Sequence, residues 1–185
     1  AVSISAGSGT SLSNKSISKA ATFRPRLTLR TLSRGDGLLG LAPSGVLGPR
    51  GDAVTVAQID WVYTAADGLS ASTPAPRSLL NSRPPALLPV GGRLFARNFS
   101  AEADARDALW GLGLVPLDTD LLQWRSAASA PVLTELWTLP QEEFFGAFWL
   151  ERVPALQAAG WAIDTLPGFA HRPAAAEGWT VKIEP

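Results

Sequence analysis

The 185 residues contain no cysteine and no methionine, one histidine and one tyrosine, and no net charge. Without thiols there is no disulfide framework, no thiolate nucleophile and no cysteine-based metal site. His171 alone cannot build a multi-histidine centre, so any metal would depend on carboxylates, and no metal site is expected. No run approaches the roughly 18 consecutive apolar residues of a membrane span. The opening AVSISAGSGTSLSNKS has neither the basic nor the apolar region of a signal peptide, so a cytoplasmic protein without a membrane partner is expected. The missing methionine, initiator included, fits an internal piece of a longer protein or methionines written in another form.

Catalytic signatures are missing too. There is no G-x-S-x-G elbow, no Walker A lysine loop and no D-E-x-H box. GSGTS followed by Asn14-Lys15-Ser16 has neither phosphate-loop spacing nor a strand before it, and reads as a Ser/Gly linker. A hydrolase built from His171, Asp164 and a serine would need a concave pocket at the histidine. Otherwise His171 is a surface or capping residue. Glu142-Glu143 and Asp118-Asp120 read as helix-start and loop acids rather than an opposed acid and base.

Hydrophobic content of 46% and charged content of 17% describe an ordinary globular chain, and this length suffices for one core or two small lobes. The charge is unevenly placed: residues 1–100 carry a balance of +7 and residues 101–185 a balance of −7. A basic surface on the first part would suit nucleic acid; alternatively the two parts face and neutralise each other.

Residues 1–22 are a Ser/Gly-rich tail. A strand-rich basic lobe with one helix is expected over 23–130, and an aromatic helix with a two-strand unit over 131–185. In the basic lobe, FRPRLTLRTL alternates Leu27 and Leu29 with Thr28 and Arg30, a half-exposed strand that starts near Pro25 or lies at an edge. Its arginines, Arg24, Arg26 and Arg30, together with Arg34, are the candidate nucleic-acid contacts. Residues 35–52 read as a loop or hairpin with a brief apolar run. AVTVAQIDWVY is the best strand, but Val54 and Val56 are out of phase with Ala57, Ile59, Trp61 and Tyr63. Either a bulge lies near Ala57 or the strand's start is covered on both sides. Asp67-Gly68 marks a tight turn, 70–89 reads as irregular and Pro-rich, and Gly91-Gly92 turns into a strand over 93–97. Ser100 is the expected N-cap of a helix over 101–112, with Ala105, Ala108, Leu109 and Leu112 on one side.

The stretch 131–185 holds four of the seven Trp and four of the seven Phe. Thr138 and Gln141 form a capping-box pattern that predicts a helix from Leu139. Phe145, Phe148, Trp149, Val153 and Leu156 lie on one stripe. Pro154 either kinks this helix near Leu150 or sits in the first turn of a restarted one, and Gly160 ends it. Trp161 and Ile163 predict one short strand and Trp179, Val181 and Ile183 another, with Phe169 anchoring the turn between.

Three phrases occur in order: FRPRLTLRTL with AVTVAQIDWVY, then GGRLFARNFSAEADARDALWGLGL, then VPALQAAGW with AIDTLPGFAHR and a Trp-led end. Together they resemble the region that precedes the ATPase core in bacterial Swi/Snf-type (superfamily-two) helicase-like proteins. The resemblance implies an α+β accessory domain of small mixed or antiparallel sheets with a few packed helices, in one body or two lobes. It implies no catalysis by this stretch, ATP and Mg belonging to the parent motor, the chain's own ATPase core as partner in cis, and DNA or RNA as a ligand. A self-standing protein-interaction module is the alternative; exposed Phe144 and Trp149 would favour it.

Overall fold

The structure, a computed structural model, describes residues 17–18, 21–48, 50–76, 84–131 and 135–172. The strand expected at Trp179, Val181 and Ile183 lies outside these residues, as does the Ser-rich opening apart from Ile17–Ser18.

Two strands of eleven residues, β2 (Thr22–Leu32) and β4 (Val54–Thr64), form the centre. They run antiparallel in unbroken register from Thr22 opposite Thr64 to Leu32 opposite Val54. Alternation puts successive side chains on opposite faces, and both faces are used. Leu27, Leu29, Ala57, Ile59, Trp61 and Tyr63 belong to one buried cluster; Leu32, Val54 and Val56 belong to a second. No bulge is needed to reconcile the phases of Val54 and Ala57, because the first turn of β4 is covered on both sides.

Further strands complete a mixed sheet in the order β11-β2-β4-β10-β8, with β5 also paired to β4. They are β5 (Ser70–Pro74), β8 (Val115–Leu117), β10 (Leu136–Thr138) and β11 (Ala162–Thr165). β5 takes the half of β4 from Asp60 to Thr64 and β10 takes Ala57 and Gln58. β11 joins β2 in parallel from Arg26 onward. Pro25 therefore sits inside β2, beyond the reach of β11, where its missing N–H costs no bond on that side.

Two small sheets flank this one. β3 (Leu38–Leu41) pairs with β9 (Leu122–Trp124), so the brief apolar run after Arg34 is a strand that caps the second cluster. β6 (Leu87–Val90) and β7 (Arg93–Ala96) form a hairpin over Gly91 and Gly92, both left-handed at φ 57° and 77°, and β1 (Ile17–Ser18) lies parallel to β7. The irregular reading of 70–89 is thus corrected at both ends. β5 and β6 form because Ala71 and Leu88 add to the first cluster.

Helix α1 (Phe99–Gly111) starts at Asn98, whose side chain accepts from the Ala101 N–H; the cap is Asn98 rather than Ser100. No helix starts at Leu139. Thr138 is the buried end of β10 and donates its hydroxyl to the Thr55 carbonyl, so it is not available to cap. The aromatic helix begins instead as α2 (Phe144–Ala147), widens to a π turn over Phe148–Arg152 and continues as α3 (Val153–Ala158). Pro154 lies in the first turn of α3. The π turn relieves the clash a proline makes with the carbonyl four residues back. Gly160 at φ 89° closes the helix.

Ala105 and Leu109 of α1 and Phe145, Phe148, Val153 and Leu156 of the aromatic helix pack into the same cluster as β2 and β4. The fold is α+β, with helices over one sheet face and β3–β9 over part of the other. No helix among the described residues is long and apolar enough to cross a membrane.

Candidate functional site

Arg24, Arg26 and Arg30 alternate with the core residues Leu27 and Leu29, so all three lie on the sheet face opposite the helices. Each has an internal partner. Arg24 donates to the carbonyls of Gly160 and Trp161 at 2.9 and 3.3 Å, which ties β2 to the turn between α3 and β11. Arg26 pairs with buried Asp60 at 2.9 Å. Arg30 stands 3.9 Å from Asp36, and Arg34, off the sheet in the turn that follows, pairs with Asp52 at 3.2 Å; both pairs are exposed enough for water to compete. Arg24 and Arg26 therefore carry structural duties, while Arg30 and Arg34 keep charge available to a phosphate.

An ion pair with both side chains buried sits elsewhere. Arg97 and Glu102 form a bidentate pair, Nε to Oε1 at 2.8 Å and Nη2 to Oε2 at 2.6 Å, with side chains 3% and 7% exposed. Tyr63 of β4 donates its phenol to the same Glu102 Oε1, and its oxygen accepts the Asn98 N–H at 2.9 Å. Strand, hairpin and helix start are thereby joined at one carboxylate. Burial, and then the hydrogen bond to Glu102, push the phenol well above its ordinary pKa. Burial alone would lower that of Arg97, but the bonds and charge of Glu102 outweigh it and the guanidinium is held more firmly protonated. The sequence did offer a signal. Glu102 lies three and seven residues before Ala105 and Leu109, on the buried stripe of α1, where an acid needs a cation.

A second network surrounds the one histidine. Glu142 accepts the Thr55 N–H at 3.0 Å, an Arg50 Nη1 bond at 2.8 Å and a 2.9 Å contact from His171 Nε2. Arg50 also reaches the Leu139 carbonyl, and its side chain is fully buried, which lowers its pKa against the opposing pull of Glu142. His171 uses the same Nε2 for Thr55 Oγ1 at 3.1 Å, and its ring stacks on Phe145 at 5.6 Å. A nucleophile–histidine–acid relay needs the two ring nitrogens to serve different partners. Here one nitrogen serves both, so the arrangement ties residues 166–172 and the loop through Arg50 to the sheet. The ion pairs Arg97–Glu102 and Arg50–Glu142 join the basic first part of the chain to the acidic second part.

Two concavities flank the helices. One, of about 230 Å³, is lined by Trp61, Pro76, Pro84, Phe99, Ala103 and Arg106 above the Arg97–Glu102 pair. The other runs along Leu112, Leu139, Pro140, Phe144 and Phe148. Phe144 and Leu150 are 50% and 63% exposed, whereas Trp149 packs on Phe169 at 5.3 Å. No family model, curated protein or solved structure matches the chain.

Proposed function

We propose that this chain is a non-catalytic accessory domain of a bacterial Swi/Snf-type DNA helicase or translocase, cytoplasmic, which helps the ATPase motor engage nucleic acid or a partner. ATP and Mg would be bound by the motor, the partner in cis. The observation that carries the reading is convergence. All three phrases of the resemblance, on β2 and β4, on β7 and α1, and on α3 and β11, contribute side chains to one buried cluster. Packing of the three segments in one cluster supports reading them together as one unit. The nucleic-acid part rests on Arg30 and Arg34.

Fluorescence anisotropy with labelled duplex and single-stranded DNA, at increasing salt, tests it. Binding should weaken steeply with salt, as counterion release requires. Arg30→Ala with Arg34→Ala should lower affinity while changing stability by no more than about 0.5 kcal/mol. Arg26→Ala should instead cost about 1–3 kcal/mol, because it removes the counter-charge of buried Asp60 and leaves it only the longer 3.3 Å bond from Gln58. Absence of salt-sensitive binding would remove the nucleic-acid role and leave contact with protein.

A self-standing protein-interaction module is the second reading. The half-exposed Phe144 beside its groove favours it. Sedimentation showing self-association that Phe144→Glu abolishes would support it, and a strict monomer would count against self-pairing.

A further inference from the structure

The cavity between β4 and α1 has no part in the accessory role above. Its described lining is largely apolar: Pro76 and Pro84 stand at the rim, almost fully buried Trp61 lies at the floor, and Phe99 is packed by Arg97, whose guanidinium lies 5.1 Å from the ring centre. A volume of about 230 Å³ exceeds the roughly 150 Å³ apolar cavity that holds benzene. That is a volume of the order a substituted aromatic ring needs.

The charges at this cavity are unequal in availability. Arg97 and Glu102 satisfy each other through two bonds, and Glu102 also accepts from Tyr63. Neither has charge to spare for a ligand. Arg106, half-buried on the same wall, has no hydrogen bond or ion pair among the described residues. Phe99, Glu102 and Ala103 come from the first turns of the 13-residue α1, whose dipole adds positive potential at this end.

We propose that this cavity binds a small aromatic carboxylate, its ring between Trp61, Pro76, Pro84 and Phe99 and its carboxylate on Arg106. An apolar body satisfies the walls, and an anionic end satisfies Arg106, which among the described residues lining the cavity is the cation without a partner. A cationic ligand would meet Arg106 unpaired and find Glu102 already neutralised. Carboxylate suits the guanidinium fork, and partial burial of Arg106 makes the pairing stronger than a fully solvated one.

The test titrates the full chain with cinnamate and with its neutral amide, following backbone amide resonances by NMR. Cinnamate should shift resonances of residues 99–106 saturably, with an affinity at least about tenfold above that of the amide, the value of one charge-assisted bond. Arg106→Gln, at a position without partners among the described residues, should reduce cinnamate affinity about tenfold and bring acid and amide level. Ala103→Trp should fill the cavity and abolish both, and an unchanged thermal midpoint would show that the loss is not unfolding. The proposal is overturned if wild-type protein shows no saturable shift at 99–106. Equal affinities for acid and amide, or binding indifferent to Arg106→Gln, would overturn it equally.

Discussion

Tyr63 is the only tyrosine in the chain, so phenolate absorbance reports on one buried group. Its pKa is raised by burial and by the Glu102 hydrogen bond, while the unfolded chain ionises at about 10. The raised value means that its stabilising contribution is complete below about pH 10 and is lost as pH climbs toward the folded value. A pH titration followed by absorbance and circular dichroism should show phenolate appearing together with unfolding. Phenolate in an intact fold would contradict the burial. Glu102 is the costlier residue to lose. Glu102→Ala leaves Arg97 buried and unpaired and removes the acceptor of Tyr63, and should destabilise by about 3–5 kcal/mol in urea denaturation. A change below about 1 kcal/mol, the value of an exposed pair, would mean that water reaches the site.

At the scale of elements, the aromatic helix and its exit show how local grammar and tertiary demand divide. The hydrophobic stripe over 145–156, the proline break and the glycine stop were legible, because each depends on side-chain spacing or a single residue's backbone limits. The start was not. Thr138 and Gln141 satisfy a capping pattern, but β10 needs Leu136 and Trp137 between β4 and β8, and Thr138 goes with them. Two glycines test the element directly. Gly160 has φ 89° with open space around it, so Gly160→Ala should cost about 1–2 kcal/mol through backbone strain alone. Gly146 lies within α2 with nothing near its would-be Cβ, so Gly146→Ala should stabilise by about 0.5–1 kcal/mol. Chemical denaturation of both variants decides, and opposite signs are expected.

On the scale of the whole molecule, β2 and β4 supply both buried clusters, one on each face. The clusters therefore cannot unfold independently without breaking the same strand pair. Tryptophan fluorescence and far-ultraviolet circular dichroism should give coincident transitions. Ile59→Ala, at a fully buried site, should lower both midpoints together, at a cost of about 2–5 kcal/mol. Separate transitions would show two independent units. The strands β10 and β11, which follow residue 131, lie in the same sheet as β2 and β4, and the ion pairs Arg97–Glu102 and Arg50–Glu142 cross between the oppositely charged parts of the chain. Facing and neutralising is thus the observed fate of Arg50 and Arg97.

The α+β class, the two long strands, the Gly91-Gly92 and Asp67-Gly68 turns and the stripe of the aromatic helix follow from the order of residues, since period, β-branching and glycine conformation act over a few positions, whereas on α1 Ala108 is exposed and Glu102 is buried. The partners of Arg24, Arg26, Arg50, Arg97 and His171 do not. A charged side chain looks the same in sequence whether water or a carboxylate up to 92 residues away will neutralise it, and that choice is made only when the sheet brings the two together. Tertiary structure alone also left Arg106 without a counter-charge among the described residues beside an apolar cavity, because Glu102, its neighbour one turn back on α1, was taken by Arg97.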